Sequence, residues 1–419
     1  MAQVPMQDNR IPEDVAILVC ADTGAFDAEA SLDELAELAD TAGVRVVGRA
    51  IQRRSSLDAA TCIGTGRLLE ITEQAKALEA NLLIFDQELS GTQERNISEQ
   101  TELRVIDRTT LILDIFAGRA VSREGRLQVA LAQYRYRLPR LTGQGKSLSR
   151  LGGGVGTRGP GETKLESDRR HIRRLIRSLE TELLELTARR GLTRARRKKE
   201  GVSCIAIVGY TNAGKSTLLN ALTSAGVLAE DKLFATLDPT ARALTLPDGR
   251  HTLLIDTVGL IRRLPHHLIE AFKSTLEEAA NADLIVQVTD ISSPDAAEHA
   301  RVTKEILTEL GCAGIPLVEA LNKCDLARMP LPIDSRTVPI SAKTGEGLER
   351  LLEVMADALP AAAMRLRLLI PYDRAGLIAR LREEGKVFSE EYQSEGVSVD
   401  ALVGVRSYPL VEAYRVREQ

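Results

Sequence analysis

Gly209-Tyr210-Thr211-Asn212-Ala213-Gly214-Lys215-Ser216-Thr217 fills the pattern G-x-x-x-x-G-K-[ST], directly after the apolar stretch Val202–Val208 and directly before Leu218–Leu222. The order is strand, phosphate-binding loop, helix. Glycines let successive backbone N–H groups converge on phosphate oxygens, Lys215 reaches the β and γ phosphates, and the Ser216 hydroxyl is placed to bind Mg²⁺. The stretch therefore predicts a nucleoside triphosphate site on a P-loop α/β domain.

Three further segments follow in the order such a domain needs. Asp256-Thr257-Val258-Gly259 comes after the apolar run Leu253–Ile255 and after a hairpin turned at Pro247-Asp248-Gly249. Asp256 is expected to reach Mg²⁺ through water, and the Gly259 N–H to meet the γ phosphate. Asn322-Lys323-Cys324-Asp325 follows the strand-like Pro316–Leu321, and Ser341-Ala342-Lys343 follows Val338–Ile340. These two segments select the base. The Asp325 carboxylate can accept from N1–H and the exocyclic amine of guanine, whereas adenine would leave it unpaired, and sites of this kind reject the wrong analogue by about 10⁴ or more. Asn322 and Lys323 are expected to brace the phosphate loop and cover the base, with the Ala342 N–H meeting the guanine oxygen. GTP and GDP are the predicted ligands.

The switch segment Phe234-Ala235-Thr236-Leu237-Asp238-Pro239-Thr240 offers two threonines as Mg²⁺ ligands. Leu260 stands where Ras-type enzymes carry the glutamine that orients water. Hydrolysis is therefore expected to be slow alone and stimulated by a partner. Asn212 is a candidate K⁺ ligand, its alternative role being a side chain that merely ties the loop together.

At 419 residues and 44% apolar content the chain can bury several cores. No stretch approaches 18 apolar residues, and the first thirty carry Asp8, Glu13, Asp14, Asp22 and Asp27 in place of a basic-then-apolar leader, which predicts a cytoplasmic protein without a transmembrane segment. Five cysteines with no C-x-x-C pair read as reduced structural thiols. The net charge of −4 is uneven: Arg119–Glu200 holds 22 Lys plus Arg against 8 Asp plus Glu, leaving +14 there and −18 elsewhere. Arg169-Arg170 with Arg173-Arg174-Arg177, and Arg194 to Lys199, have the density of phosphate-backbone contacts. A charge run alone reads as a solvated helical face; beside a nucleotide switch, nucleic-acid contact is the better reading.

Residues 1–117 alternate apolar runs (Val15–Cys20, Val44–Val47, Leu82–Phe85, Val105–Ile106) with helix-like stretches (Ser31–Asp40, Arg67–Leu78), which is βαβ spacing. Residues 118–200 carry two apolar stripes, Leu127, Leu131, Tyr134, Leu138 and Ile172, Ile176, Leu179, Leu183, Leu186, and predict an antiparallel helical hairpin ended or kinked at Pro139. Between the stripes, Gly152–Gly161 contains six glycines and reads from composition as a flexible linker. Residues 201–362 form the nucleotide domain. Residues 363–419 predict a small α/β domain with a strand at Arg365–Ile370, a helix at Ala375–Glu384 and short strands at Leu402–Val405 and Leu410–Tyr414. A monomer is expected.

The segments Gly152-Gly-Gly-Val-Gly-Thr-Arg-Gly-Pro-Gly-Glu-Thr-Lys-Leu-Glu166, Ile84-Phe-Asp-Gln-Glu-Leu-Ser-Gly-Thr-Gln-Glu-Arg-Asn96 and Val105-Ile-Asp-Arg-Thr-Thr-Leu-Ile-Leu-Asp-Ile-Phe116 together resemble the HflX family of ribosome-associated GTPases. Phe234–Thr240 and Asp256–Ile261 resemble it too; the chain after Ile370 does so only loosely. The resemblance implies a GTPase of translation that binds the large ribosomal subunit and splits or rescues stalled or vacant ribosomes. It assigns Thr236, not Thr240, to Mg²⁺ and makes Ser341–Lys343 a base-contacting loop. It also implies that the N-terminal unit and the hairpin contact ribosomal RNA, with the Gly-rich loop, bearing Arg158 and Lys164, aimed toward the peptidyl transferase region. A regulatory RNA- or protein-binding GTPase switch that does not split ribosomes is the competing reading.

Overall fold

Strands enclosed on both faces need near-continuous apolar side chains, and Val15–Ala21 and Leu82–Phe85 are buried residue by residue. The computed structural model describes residues 13–141, 160–200, 202–223, 233–234, 240–263, 265, 268, 277–327, 334–360, 364–384, 386–404 and 407–416, with 160–165, 193–194, 197–200, 364 and 384 described in the backbone alone. The chain divides into two compact units, Met1–Leu183 with Pro265–Ala271, and Leu184–Leu264 with Phe272–Gln419. The five cysteines are free thiols.

In the first unit, β1 (Val15–Asp22), β2 (Arg45–Arg53), β3 (Leu82–Phe85) and β4 (Arg104–Asp107) form a parallel sheet in the order β2-β1-β3-β4. The connecting helices are α1 (Ala28–Thr41), α2 (Thr65–Ala77) and α3 (Gly91–Thr101), followed by α4 (Arg108–Arg119). The alternation of runs in the sequence anticipates this sheet. It does not announce α3, which a Ser90–Gln93 capping box starts.

Two charged residues lie just beyond the carboxyl ends of β3 and β4. Arg108 donates to Asp86 Oδ1 at 3.0 Å and to Glu34, and the Ser31 hydroxyl donates to Asp86 Oδ2 at 2.9 Å. Arg108 and Asp86 are each 3% exposed. Burial without partners would be prohibitive for either charge, so this cluster fixes α1 to the end of the sheet.

Helix α5 (Arg123–Arg140) ends one residue after Pro139. Its deeply buried side is Gly125, Gln128, Val129, Leu131, Ala132 and Tyr136; the sequence stripe of Leu127, Tyr134 and Leu138 is half-buried. The difference arises because α5 has two neighbours. Tyr136 donates its hydroxyl to Asp107, which also accepts the Leu89 N–H, and burial together with the Asp107 charge raises the phenol above its ordinary pKa. Helix α6 (Pro160–Glu200) presents Ile172, Ile176, Leu179 and Leu183, all half-buried. Ile172 lines the same cavity as Arg137 and Leu141, Glu180 pairs with Arg135, and Glu182 with Arg123. The partners on α5 recede as α6 advances, so the two helices run antiparallel, as the facing stripes predict.

The second unit holds a six-stranded sheet in the order β10-β9-β8-β5-β7-β6, from β5 (Ser203–Gly209), β6 (Thr240–Thr245), β7 (His251–Asp256), β8 (Leu284–Asp290), β9 (Leu317–Asn322) and β10 (Thr337–Pro339). Only the β6–β7 pairing is antiparallel, across the expected hairpin. Helices α7 (Lys215–Thr223), α8 (Ala296–Glu309) and α9 (Leu348–Ala358) cover it, with Ile207, Leu218, Leu254, Val286, Val318 and Met355 in one core. A separate antiparallel sheet, β11-β13-β12, follows: β11 (Met364–Ile370), β12 (Lys386–Gln393) and β13 (Gly396–Val403), packed on α10 (Gly376–Glu384) through Leu368, Val399 and Leu381. The sequence expectation of a strand at Leu410–Tyr414 is not met. Tyr408–Val411 is a short helix and Glu412–Tyr414 a 3₁₀ turn, with Val411 turned into the core. Of the strand expected at Leu402–Val405, Leu402 and Val403 end β13, Gly404 lies beyond it and Val405 is outside the described residues; β12 escapes a hydrophobicity scan because it is an exposed edge carrying Glu390 and Glu391.

Arg108→Ala is expected to destabilise the first unit by about 3–5 kcal/mol, because Asp86 and Glu34 stay buried without their cation. Chemical denaturation followed by circular dichroism measures this; a shift below about 1 kcal/mol would contradict the role given to the cluster.

Candidate nucleotide site

All four predicted loops leave carboxyl ends of strands in the parallel sheet, and such a sheet puts those ends on one edge. The phosphate loop leaves β5, Thr257–Gly259 follows β7, Lys323–Asp325 follows β9, and Ser341–Lys343 follows β10. Gly209–Thr217 bridges β5 and α7, as the strand-loop-helix reading requires.

Within the loop, Gly214 has φ +90°, and a Cβ there would overlap Asn322 Nδ2. Asn322 is 2% exposed. Its Nδ2 donates to Ala213 O at 2.8 Å, and its Oδ1 accepts the Ala342 N–H at 2.9 Å. One amide thus bridges the phosphate loop and the loop after β10. The expected contact of the Ala342 N–H with guanine is here occupied by Asn322, so a base oxygen would have to share or displace that bond. Lys323, at φ +63°, pairs with Asp290 Oδ2 at 2.6 Å. Asp325 and Lys343 are exposed, whereas Ser341 is buried and its hydroxyl accepts the Thr344 N–H at 3.2 Å.

Lys215 is buried, and its ammonium donates to Tyr210 O at 2.8 Å. Burial, opposed by the Asp256 charge, pushes its pKa down to about 8. Ser216 Oγ donates to Asp256 Oδ2 at 2.7 Å, and Asp256 is fully buried. A hydroxyl and a carboxylate at this separation are hard oxygen donors of the kind Mg²⁺ takes alongside nucleotide phosphates. Thr257 is fully buried and donates its hydroxyl to Ile207 O at 2.7 Å, so it braces β7 against β5.

Three family models match consecutive stretches: one described as GTP-binding GTPase N-terminal over residues 29–117, one as GTP-binding GTPase Middle Region over 119–197, and one as 50S ribosome-binding GTPase over 204–323. The GTPase HflX of Caldanaerobacter subterraneus subsp. tengcongensis is 51% identical over 388 residues, covering 93% of this chain and 90% of that protein. This chain belongs to the HflX family of GTPases. Its similarity to the GTPase HflX of Lacrimispora saccharolytica is 50% over 396 residues, with 93% and 94% covered, and to that of Escherichia coli (strain K12) 39% over 395 residues, with 93% and 92% covered. As an HflX-family member it is a guanine-nucleotide-binding GTP hydrolase on a P-loop fold, and folds of this kind work with Mg²⁺. Among the described residues no helix is long and apolar enough to cross a membrane.

Of the switch segment, Phe234 is buried with φ +54°, and Thr240 opens β6 opposite Asp256 in the β-ladder. Ala235, Thr236, Leu237 and Asp238 lie outside the described residues, as do Gly152–Gly159 with Arg158; Lys164 is described in the backbone alone. Leu260 is 1% exposed and packs with Ala206, Val208, Ala279 and Ile285. The residue after Gly259 thus points into the core, away from any water beside a phosphate. Asn212, at φ +60°, is exposed and makes no hydrogen bond to the described residues, which does not support a tying role. Val258 and Ala213 are buried, and the Thr217 side chain is half-buried.

Sequence reading places Tyr210 in the site only as a loop member and passes over Arg262, Asp295 and His299 altogether. Tyr210 stacks on His299 with ring centroids 3.8 Å apart, and Arg262 pairs with Asp295 at 2.8 Å. Burial, then the Arg262 charge, holds the His299 imidazole below its ordinary pKa. The only hint in the sequence is an aromatic residue inside a phosphate loop.

Gly214→Ala is expected to weaken GTP binding about 100-fold, from backbone strain plus disruption of the buried Asn322 amide. Asn322→Ala, which removes the bridge without straining the loop, is expected to cost about tenfold. Calorimetric titration with GDP and GTP reads both, and wild-type affinity in either variant would remove the bridge from the account of the site.

Proposed function

We propose that this HflX-family GTPase binds the large ribosomal subunit and couples GTP binding and hydrolysis to the splitting or rescue of stalled or vacant ribosomes. The observation that carries the reading is on α6: Arg173, Arg174 and Arg177 are exposed and form no ion pair among the described residues. Guanidinium groups held in solvent on one stretch of helix suit RNA phosphates, and nothing within the described fold requires them. The family model described as 50S ribosome-binding GTPase supports the choice of ribosomal RNA.

In the mechanism proposed, Lys215 and the phosphate-loop N–H groups hold the β and γ phosphates, and Ser216, Thr236 and, through water, Asp256 would hold Mg²⁺, whose chemistry when bound would be to supply positive charge beside the phosphates. Gly259 donates its N–H to the γ phosphate. Asn322, Lys323 and Asp325, with Ser341–Lys343, form the guanine-selective rim, and Phe234–Asp238 is the further segment assigned to nucleotide binding. Because Leu260 is committed to the core, charge stabilisation and water positioning would come from outside this side chain: from ribosome contact, and from K⁺ that Asn212 would help to hold. The Gly-rich segment Gly152–Gly161 is the part proposed to approach ribosomal RNA most closely, since backbone without Cβ atoms packs against phosphates without clash.

Purified large subunits are expected to raise the GTP turnover of the protein by roughly 10³-fold or more; no stimulation would sink the assignment. With a non-hydrolysable GTP analogue, intact ribosomes should sediment as free subunits. Co-migration with unchanged intact ribosomes would instead favour an anchored regulatory switch. Replacing Arg173, Arg174 and Arg177 by Glu should weaken subunit binding and flatten its dependence on log salt by about one unit per arginine. Hydrolysis should be faster in KCl than in NaCl at equal ionic strength, and Asn212→Ala should abolish the difference.

A further inference from the structure

The segment after Gly259 is held to the phosphate loop as a short extension of the parallel sheet. Leu260 N–H donates to Gly209 O at 3.1 Å, and Thr211 N–H donates to Leu260 O at 2.8 Å, making Tyr210 and Leu260 a β-bridge. Two residues further on, a side chain holds the backbone. The Tyr210 hydroxyl accepts the Arg262 N–H at 2.7 Å.

Tyr210 is well placed to act as a strut. It is 5% exposed, and its ring lies flat on His299 of α8, 11° from parallel. The ring cannot tilt without breaking that stack. Arg262, whose N–H it holds, extends its guanidinium to Asp295, the N-cap residue of α8. The Asp295 side chain makes no capping bond to its own helix, and its carboxylate is turned to Arg262 instead. Main chain and side chain of Arg262 are therefore gripped from two sides.

What the strut sets is the position of Gly259. A Cβ on Gly259 would come within 2.6 Å of Thr211 Cγ2 and 3.2 Å of Lys215 Nζ. The Gly259 backbone thus lies directly beside the ammonium that meets the phosphates, and displacement by a few tenths of an ångström changes both spacings. The Tyr210 carbonyl meanwhile accepts from Lys215 Nζ. One residue consequently fixes Lys215 through its backbone and the Gly259 segment through its side chain.

We infer that Tyr210 is a positioning residue for GTP hydrolysis, its hydroxyl holding Gly259 at the distance from Lys215 that the transferring phosphoryl group needs, and its ring linking that distance to α8 through His299. The inference rests on the proposed role of the Gly259 N–H at the γ phosphate. It makes the first turn of α8 the place where a partner pressing on the protein would alter turnover without touching nucleotide.

The test compares Tyr210→Phe, His299→Ala, His299→Phe and Gly259→Ala for turnover, KM, affinity for a fluorescent GDP analogue and thermal midpoint. Tyr210→Phe keeps the stack and the hydrogen bonds of residue 210's own backbone but loses the hydroxyl that accepts the Arg262 N–H. It is expected to lower kcat about tenfold, with GDP affinity and KM within about twofold of wild type. His299→Ala should lower kcat similarly, and His299→Phe, which restores a ring to stack on, should recover most of the loss. Wild-type kcat in Tyr210→Phe, with hydrolysis abolished in Gly259→Ala, would overturn the strut while leaving the Gly259 reading intact. Unimpaired hydrolysis in Gly259→Ala would overturn the Gly259 reading itself. A Tyr210→Phe protein that loses thermal stability and GDP affinity together at constant kcat would show a structural role only, and also overturns the inference.

Discussion

The buried amide of Asn322 is the tie on which the nucleotide loops depend. It gives one donor to Ala213 O and one acceptor to the Ala342 N–H, with all three residues buried. A carboxylate at this place would lack the donor and carry a charge to bury; a longer amide would overshoot the gap. The parallel sheet brings the phosphate loop and the base-side loop to one edge, but strand register alone leaves loops free to drift. Asn322 removes that freedom, and Gly214, by presenting no side chain, leaves room for the amide to pass.

The other side of the site is held by Leu260. Leu260 anchors the segment after Gly259 by burial, and the short β-bridge to Tyr210 aligns it. Leucine in the core exchanges a possible catalytic side chain for a fixed backbone. In the function proposed above, the chemistry of phosphoryl transfer then falls to the backbone N–H groups, Lys215 and a cation and partner that approach from outside.

Much of this was legible from residues because motif and periodicity act locally. Gly209–Thr217, Asp256–Gly259 and Asn322–Asp325 each combine a strand's apolar run with a turn whose residue types are chemically constrained, and the structure places all of them on one sheet edge. The βαβ spacing of the first unit and the facing stripes of α5 and α6 are readable for the same reason. What escaped was set by distant contacts. The deep face of α5 is decided by Asp107 and by the packing of α4, neither visible in a heptad-like count. Leu410–Tyr414 has strand-like composition but turns helical where Val411 must reach the core. Arg262, Asp295 and His299 are ordinary residues individually, joined only when β5 and β8 place Tyr210 against α8.

The Tyr210–His299 stack gives the molecule an optical property. The chain has seven tyrosines and no tryptophan, so its near-ultraviolet signal comes from a small set of phenols. One of these belongs to the phosphate loop, lies flat against an imidazole and accepts a backbone hydrogen bond. Absorbance and emission from such a ring follow its stacking and the polarity at its oxygen. The GTPase therefore carries an intrinsic chromophore at the point where the phosphate loop, the segment after Gly259 and α8 meet, and that region can be watched without a label.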